Sequence, residues 1–134
     1  MQKRILVDTN ILVDFAKGMG YSRKFFETAK EKYYEICMPK EVYFQAKSLI
    51  PKFHRIKGLI EELKSQDIYT VLSITSEEIE YAYGLIKTCF DVAGQDLGEV
   101  DRRILAIAKS RNLTLFTVDQ NLRKVAKIEK IRLI

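Results

Sequence analysis

The chain has 134 residues, of which 47% are hydrophobic and 31% charged, enough core and surface for one compact domain spanning 1–134. Two prolines and six glycines argue against long linkers, and no apolar run approaches the roughly 20 residues that cross a bilayer. The net charge of +5 suits a polyanionic partner, but basic residues are scattered through segments such as "SRKFF", "PKFHRIKG" and "LRKVAKIEKIR", as on ordinary solvated helix faces.

Cys37 and Cys89 lie 52 positions apart among apolar neighbours, a pattern of reduced core cysteines in a cytoplasmic protein. "MQKRILVDTN" shows no long apolar run after its basic start, so no secretory leader is expected.

In chain order, "RILVD" (4–8) is a short aliphatic run that predicts a strand buried on both faces. Asn10 is placed to cap a helix through about Lys17, with Gly18 and Gly20 ending it. "YSRKFFETAKEKYYE" carries Tyr21, Phe25, Phe26, Ala29 and Tyr33 at helical spacing. "EICM" (35–38) predicts a second strand, and Pro39 then opens a helix. Pro51 interrupts that helix and "FHRIKGLIEELKSQ" resumes it, which predicts a helical hairpin projecting at about 40–66. "IYTVLSI" (68–74) is a third strand. It is followed by a helix capped at Thr75 or Ser76, with Glu78 or Glu77 in its first turn. "VDRRILAIAKSRN" is a helix ending near Asn112, and "LTLFTVD" (113–119) a fourth strand. "QNLRKVAK" gives a short helix and "KIRLI" a last strand. Alternation of strands and helices predicts an α/β fold: a three-layer α/β/α sandwich around a mostly parallel sheet of four to five strands.

In such sheets ligands bind outside the carboxyl ends of the strands. Asp8 and Asp119 each end an apolar strand and precede a helix, so the two carboxylates face one cleft if their strands are neighbours. Each has an ordinary reading as a helix cap, and Asp101 and Glu99 have one as first-turn acids favoured by the helix dipole. Together they read differently. Carboxylates gathered in a low-dielectric cleft repel one another unless a cation compensates. Mg²⁺ and Mn²⁺ are the hard ions that carboxylate oxygens hold, and such ions activate water for attack on phosphodiesters.

The sequence also resembles the PIN-domain ribonucleases over nearly its whole length. "ILVDTNILVDF" is similar to their N-terminal hydrophobic–D-T-N–hydrophobic motif. "LGEVDRRILAIAKSRN" resembles their acid-opened helix, and "LTLFTVDQNL" their strand ending in T-x-D. The 18 positions between Asp101 and Asp119 suit one helix plus one strand. The resemblance implies a metal-dependent endoribonuclease that cuts single-stranded or structured RNA. Asp8, Asp101 and Asp119 would then hold one or two Mg²⁺ or Mn²⁺ ions, Glu99 would add an oxygen, and Asn10 and Thr117 would orient ligands or water. It further implies a toxin paired with an antitoxin protein, or an RNA-processing nuclease, and a homodimer.

One motif departs from the pattern. Where the family carries a glutamate on the helix after the second strand, this chain has Gln45, and the nearest acid is Glu41, four residues earlier on the same helix face. Glu41 substitutes, Gln45 acts as a neutral ligand, or the site is weakened and the domain is an RNA- or protein-binding module. A response-regulator-like domain is discounted, because the third strand ends without the phosphoacceptor aspartate that fold needs. His54 reads as a surface or packing residue, since no nucleophile-elbow sequence accompanies it. Lys52, Arg55 and Lys57 in "PKFHRIKG" are the candidate RNA contacts, a basic stretch that mixes with aromatic residues.

Overall fold

The computed structural model describes residues 2–134. Its strands are β1 (Arg4–Val7), β2 (Glu35–Pro39), β3 (Tyr69–Leu72) and β4 (Thr114–Phe116). Its helices are α1 (Thr9–Ala16), α2 (Gly20–Lys32), α3 (Lys40–Leu49), α4 (Phe53–Ser65), α5 (Ser76–Gly84), α6 (Ile86–Ala93), α7 (Glu99–Ser110) and α8 (Gln120–Ile128). The four strands form one parallel sheet in the order β3-β2-β1-β4. Helix α1 packs on α2, α3 and α4, while α5 packs on α7 and α6 on α8, which gives the expected helix–sheet–helix layering.

The strand order decides where a site can lie. From β1 the chain steps outward to β2 and β3, then returns to the other side of β1 as β4. The gap between β1 and β4 at their carboxyl ends is therefore the switch point, where the flanking helices diverge and leave a crevice. Leu6 pairs with Leu115 and Val7 with Phe116, so Asp8 leaves the sheet level with Thr117. Ile5, Leu6 and Val7 are wholly buried, and each such side chain contributes about 1.5–3 kcal/mol, so the strand that delivers Asp8 is firmly anchored.

Three local expectations are corrected. Asp8, not Asn10, caps α1: its Oδ1 accepts from the Ile11 N–H at 3.3 Å, while Asn10 is exposed in the first turn. "KIRLI" makes only a single parallel bridge between Leu133 and Leu115, because the segment follows a left-handed turn at Lys130 and meets β4 for too short a length. Helices α3 and α4 are seated on the body rather than projecting from it. Both pack on α1, and α4 buries Phe53, Ile56, Leu59, Ile60 and Leu63 in the core. The sequence stripe on α4 signals this burial, but it does not say against what.

Other expectations hold. Thr75 forms a full capping box with Glu78, and Asn112 takes the left-handed conformation that ends α7. Gly18 does the same after α1, whereas Gly20 opens α2. Cys37 and Cys89 are both free and buried. Among the described residues no helix is long and apolar enough to cross a membrane.

Candidate metal centre

Asp8 and Asp119 cap the helices that follow their strands, as their ordinary reading requires. Asp119 Oδ1 accepts from the Leu122 N–H at 3.0 Å. Each cap uses one carboxylate oxygen, and what the second oxygen meets distinguishes this place. The Thr117 hydroxyl donates to Asp8 Oδ2 and accepts from the Asp119 N–H at 3.1 Å. Thr117 is fully buried at the end of β4, so one hydroxyl ties the two strand ends together. Asp101 enters from the first turn of α7 and is half-buried.

The electrostatics follow from this crowding. Burial pushes the Asp8 carboxyl up to about 6, the bonds from Thr117 and Ile11 partly offset it, and the charges of Asp101 and Asp119 add to it. Asp101 is also pushed up to about 6, by burial and then by Asp119. No basic side chain relieves either group among the described residues. Nearby, the Tyr21 phenol donates to Asp14, and burial, Asp14 and the more distant Asp8 charge all hold it protonated.

The two glutamates stand differently. Glu99 opens α7 and its Oε1 accepts from Arg103 Nη2 at 2.6 Å and from the Tyr83 hydroxyl at 3.1 Å. Glu41, in the first turn of α3, has its Oε1 3.6 Å from Arg103 Nη1, while its Oε2 is buried without a hydrogen-bond partner among the described residues. Gln45 is half-buried and its Oε1 accepts from the Thr9 hydroxyl at 2.6 Å, next in sequence to Asp8. Asn10 lies exposed beside them.

The donors are all hard oxygens, the chemistry that selects Mg²⁺ or Mn²⁺. In the conformation seen, among the described residues, no three acidic, histidine or cysteine side chains converge as an ion cage. Asp8, Asp101 and Asp119 are thus coupled in charge without meeting at one point. Such spacing is what mutual repulsion favours, and the uncompensated burial of Asp8 and Asp101 is what a cation would relieve.

Of the basic candidates, Arg55 donates to the Ala16 carbonyl at 2.9 Å, and Lys57 lies 5.7 Å from the Phe53 ring centroid. Lys57 also lines an open groove of about 580 Å³ with Lys40, Lys64, Tyr43 and Tyr69, between α3 and α4. Lys52 is exposed at the start of α4, and His54 is exposed within it. Sequence reading missed Arg103 and Thr9. The i,i+4 spacing of Glu99 and Arg103 was a visible signal, but the reach from α7 to α3 was not.

A parallel α/β domain with carboxylates crowded at its switch point is the class that this geometry defines. A PIN domain model matches residues 5–128, and the chain belongs to the PIN domain family, whose members are generally nucleases. Among solved structures it is similar to VapBC2 from Rickettsia felis bound to a promoter DNA fragment, at TM-score 0.66 and 18% identity over 98% of this chain and 97% of that one. It is similar to a toxin–antitoxin complex from Klebsiella pneumoniae at TM-score 0.67 and 19% identity, over 97% and 95%. The DNA-bound VapBC of Salmonella typhimurium gives TM-score 0.65 and 22% identity, over 100% and 98%. At these identities the likeness establishes the fold. No match is found among curated proteins.

Proposed function

We propose that this PIN domain is a Mg²⁺- or Mn²⁺-dependent endoribonuclease of a toxin–antitoxin pair, acting on single-stranded RNA in a reducing, cytoplasmic setting. One observation carries the reading: Asp8, Asp101 and Asp119 crowd the switch point with no basic partner among the described residues, and burial leaves Asp8 and Asp101 hard to ionise. A structural acid comes with its counter-charge, so this arrangement is built for a cation that arrives from solution. Asp8, Asp101 and Asp119 would hold the ion after side-chain rotation. A bound Mg²⁺ or Mn²⁺ supplies the Lewis acidity needed for water to attack a phosphodiester.

The chain's own groups do the rest. Thr117 fixes the rotamer of Asp8 through its hydroxyl and aligns it with the Asp119 backbone. Thr9 and Gln45 hold the start of α1 against α3. Lys52, Arg55 and Lys57 meet RNA phosphates on α4, a contact that weakens with salt. The toxin role is supported by neighbours that are toxin–antitoxin complexes, and a protein antitoxin is the partner proposed here.

The test is cleavage of generic single-stranded RNA with Mn²⁺. Wild type cleaves, and Asp8→Asn and Asp101→Asn each lose about 100-fold or more, the scale of deleting one group that stabilises transition-state charge. Undiminished cleavage by both variants would overturn the assignment. A wild type that binds RNA but never cuts it would support a second reading, an RNA-binding module, for which the neutral Gln45 is the supporting observation.

A further inference from the structure

Four of the acids at this end of the sheet fall into two sets. Among the described residues Asp8 and Asp101 have aspartates and hydroxyls as neighbours and no basic group. Glu41 and Glu99 share one guanidinium. Arg103 Nη2 lies 2.6 Å from Glu99 Oε1, and Nη1 lies 3.6 Å from Glu41 Oε1. The Glu99 contact alone would be an ordinary i,i+4 pair on α7, of the weak kind that surface helices carry. The contact with Glu41 is not local. It crosses from α7 to α3, and both Arg103 and Glu41 have side chains only 26% exposed. Arg103 therefore spans the mouth between the two helices that carry the glutamates.

Nucleases that use two ions set them about 3.5–4 Å apart and need carboxylates for both. Here the carboxylates left for a second ion are Glu41 and Glu99, and each already gives an oxygen to Arg103. Their cation is permanent, because a guanidinium does not lose its proton in a protein. Gln45, next along the same face of α3, adds no charge.

We propose that Arg103 is a positioning residue that stands in for a second metal ion, so that the site holds one divalent ion, on the aspartates. This rests on the reading of the aspartates as an ion site. Arg103 fixes Glu41 through Oε1, and the buried Oε2 has no hydrogen-bond partner among the described residues. A second divalent ion would be set against a fixed positive charge and against glutamates already bound.

The experiment is a Mn²⁺ titration of the folded protein, counted by the electron paramagnetic resonance signal of free Mn²⁺ and by calorimetry. Wild type takes up one ion per chain. Arg103→Gln, which removes the charge, takes up two, the second more weakly. Arg103→Lys, which keeps the charge, takes up one, a rescue that loss of helix packing would not give. Glu41→Gln still takes up the first ion, as expected of a residue that does not ligate it. Two ions on wild type would overturn the role of Arg103 and leave the aspartate site standing. No ion on wild type would overturn the aspartate reading itself, and this inference with it. One ion on a folded Arg103→Gln would also overturn the inference. Where Arg103→Gln does not fold, Arg103→Met, which keeps the apolar stem and removes the charge, takes its place, with two ions expected and one ion overturning the inference.

Discussion

Asp8 and Glu78 are both buried acids in contact with a helix start, and they have opposite surroundings. Glu78 lies in the first turn of α5. Its Oε2 accepts from Arg111 Nε at 3.0 Å and from the Ser110 hydroxyl, and its Oε1 accepts from Arg111 Nη2 at 2.7 Å and the Thr75 N–H at 2.9 Å. Burial alone would push its carboxyl up, but these bonds outweigh burial and hold it at about 2. Asp8 is pushed up to about 6 by burial, and its charged neighbours are two more aspartates. The lesson lies in the sign of the neighbours. The acid that serves folding brings its own cation, and the acid at the switch point weakens the fold so long as nothing compensates it.

The largest way to break this comparison is Glu78→Gln, which leaves the buried end of Arg111 facing a neutral amide. Losing one partner of a buried pair should cost about 2–4 kcal/mol, read as a lower urea midpoint at pH 7. Because the folded carboxyl is held below its ordinary value, its contribution is present above about pH 4.5 and fades as the pH falls towards about 2. A cost below about 1 kcal/mol would mean that water screens the Glu78 pair as it does a surface pair.

Asp8→Asn should do the reverse and stabilise the protein by about 1–3 kcal/mol at pH 7, from a rise of about two pK units at about 1.4 kcal/mol each. Asparagine keeps the capping oxygen, so the helix start is retained. The sign follows from linkage. The folded form binds the Asp8 proton more tightly than the unfolded chain does, so wild type loses stability as the pH rises from about 4 to about 6 and is flat beyond. The advantage of Asp8→Asn opens across that window in a pH series of urea melts. Equal stability at pH 4 and pH 7 in both proteins would remove the contrast with Glu78.

The positions of Asp8 and Asp119 were legible because a buried parallel strand writes itself as a continuous apolar run, and the first polar residue after the run marks its carboxyl end. That β1 and β4 are neighbours was a condition of the shared cleft rather than a reading of the residues, and the strand order meets it. The capping residue was not legible. Asp8 and Asn10 are both good caps two positions apart, and only the backbone geometry chooses between them. The seating of α4 on α1 depends on partners distant in sequence, as does the grip of Arg103 on Glu41, 62 positions away. Local periodicity carries neither. The same holds for Gln45: its departure from the family motif was visible, but not that its amide meets Thr9 beside Asp8.

Gln45→Glu sharpens the comparison with the smallest step. The Gln45 Oε1 atom that accepts from Thr9 has an equivalent in glutamate, so the hydrogen bond survives and only a negative charge is added. Added close to Asp8, that charge makes the switch point less like the Glu78 pair. It should lower metal-free stability by about 0.5–1 kcal/mol at pH 7, as repulsion between half-buried like charges does. With Mn²⁺ present the sign reverses, because the ion binds a more negative site more tightly and stabilises the folded form in proportion. The readout is the rise in melting temperature on adding Mn²⁺, expected to be larger in Gln45→Glu than in wild type and nearly absent in Asp8→Asn. An equal rise in Gln45→Glu and wild type would place residue 45 outside the reach of the ion, and the neutral side chain there would then be a packing choice rather than a missing ligand.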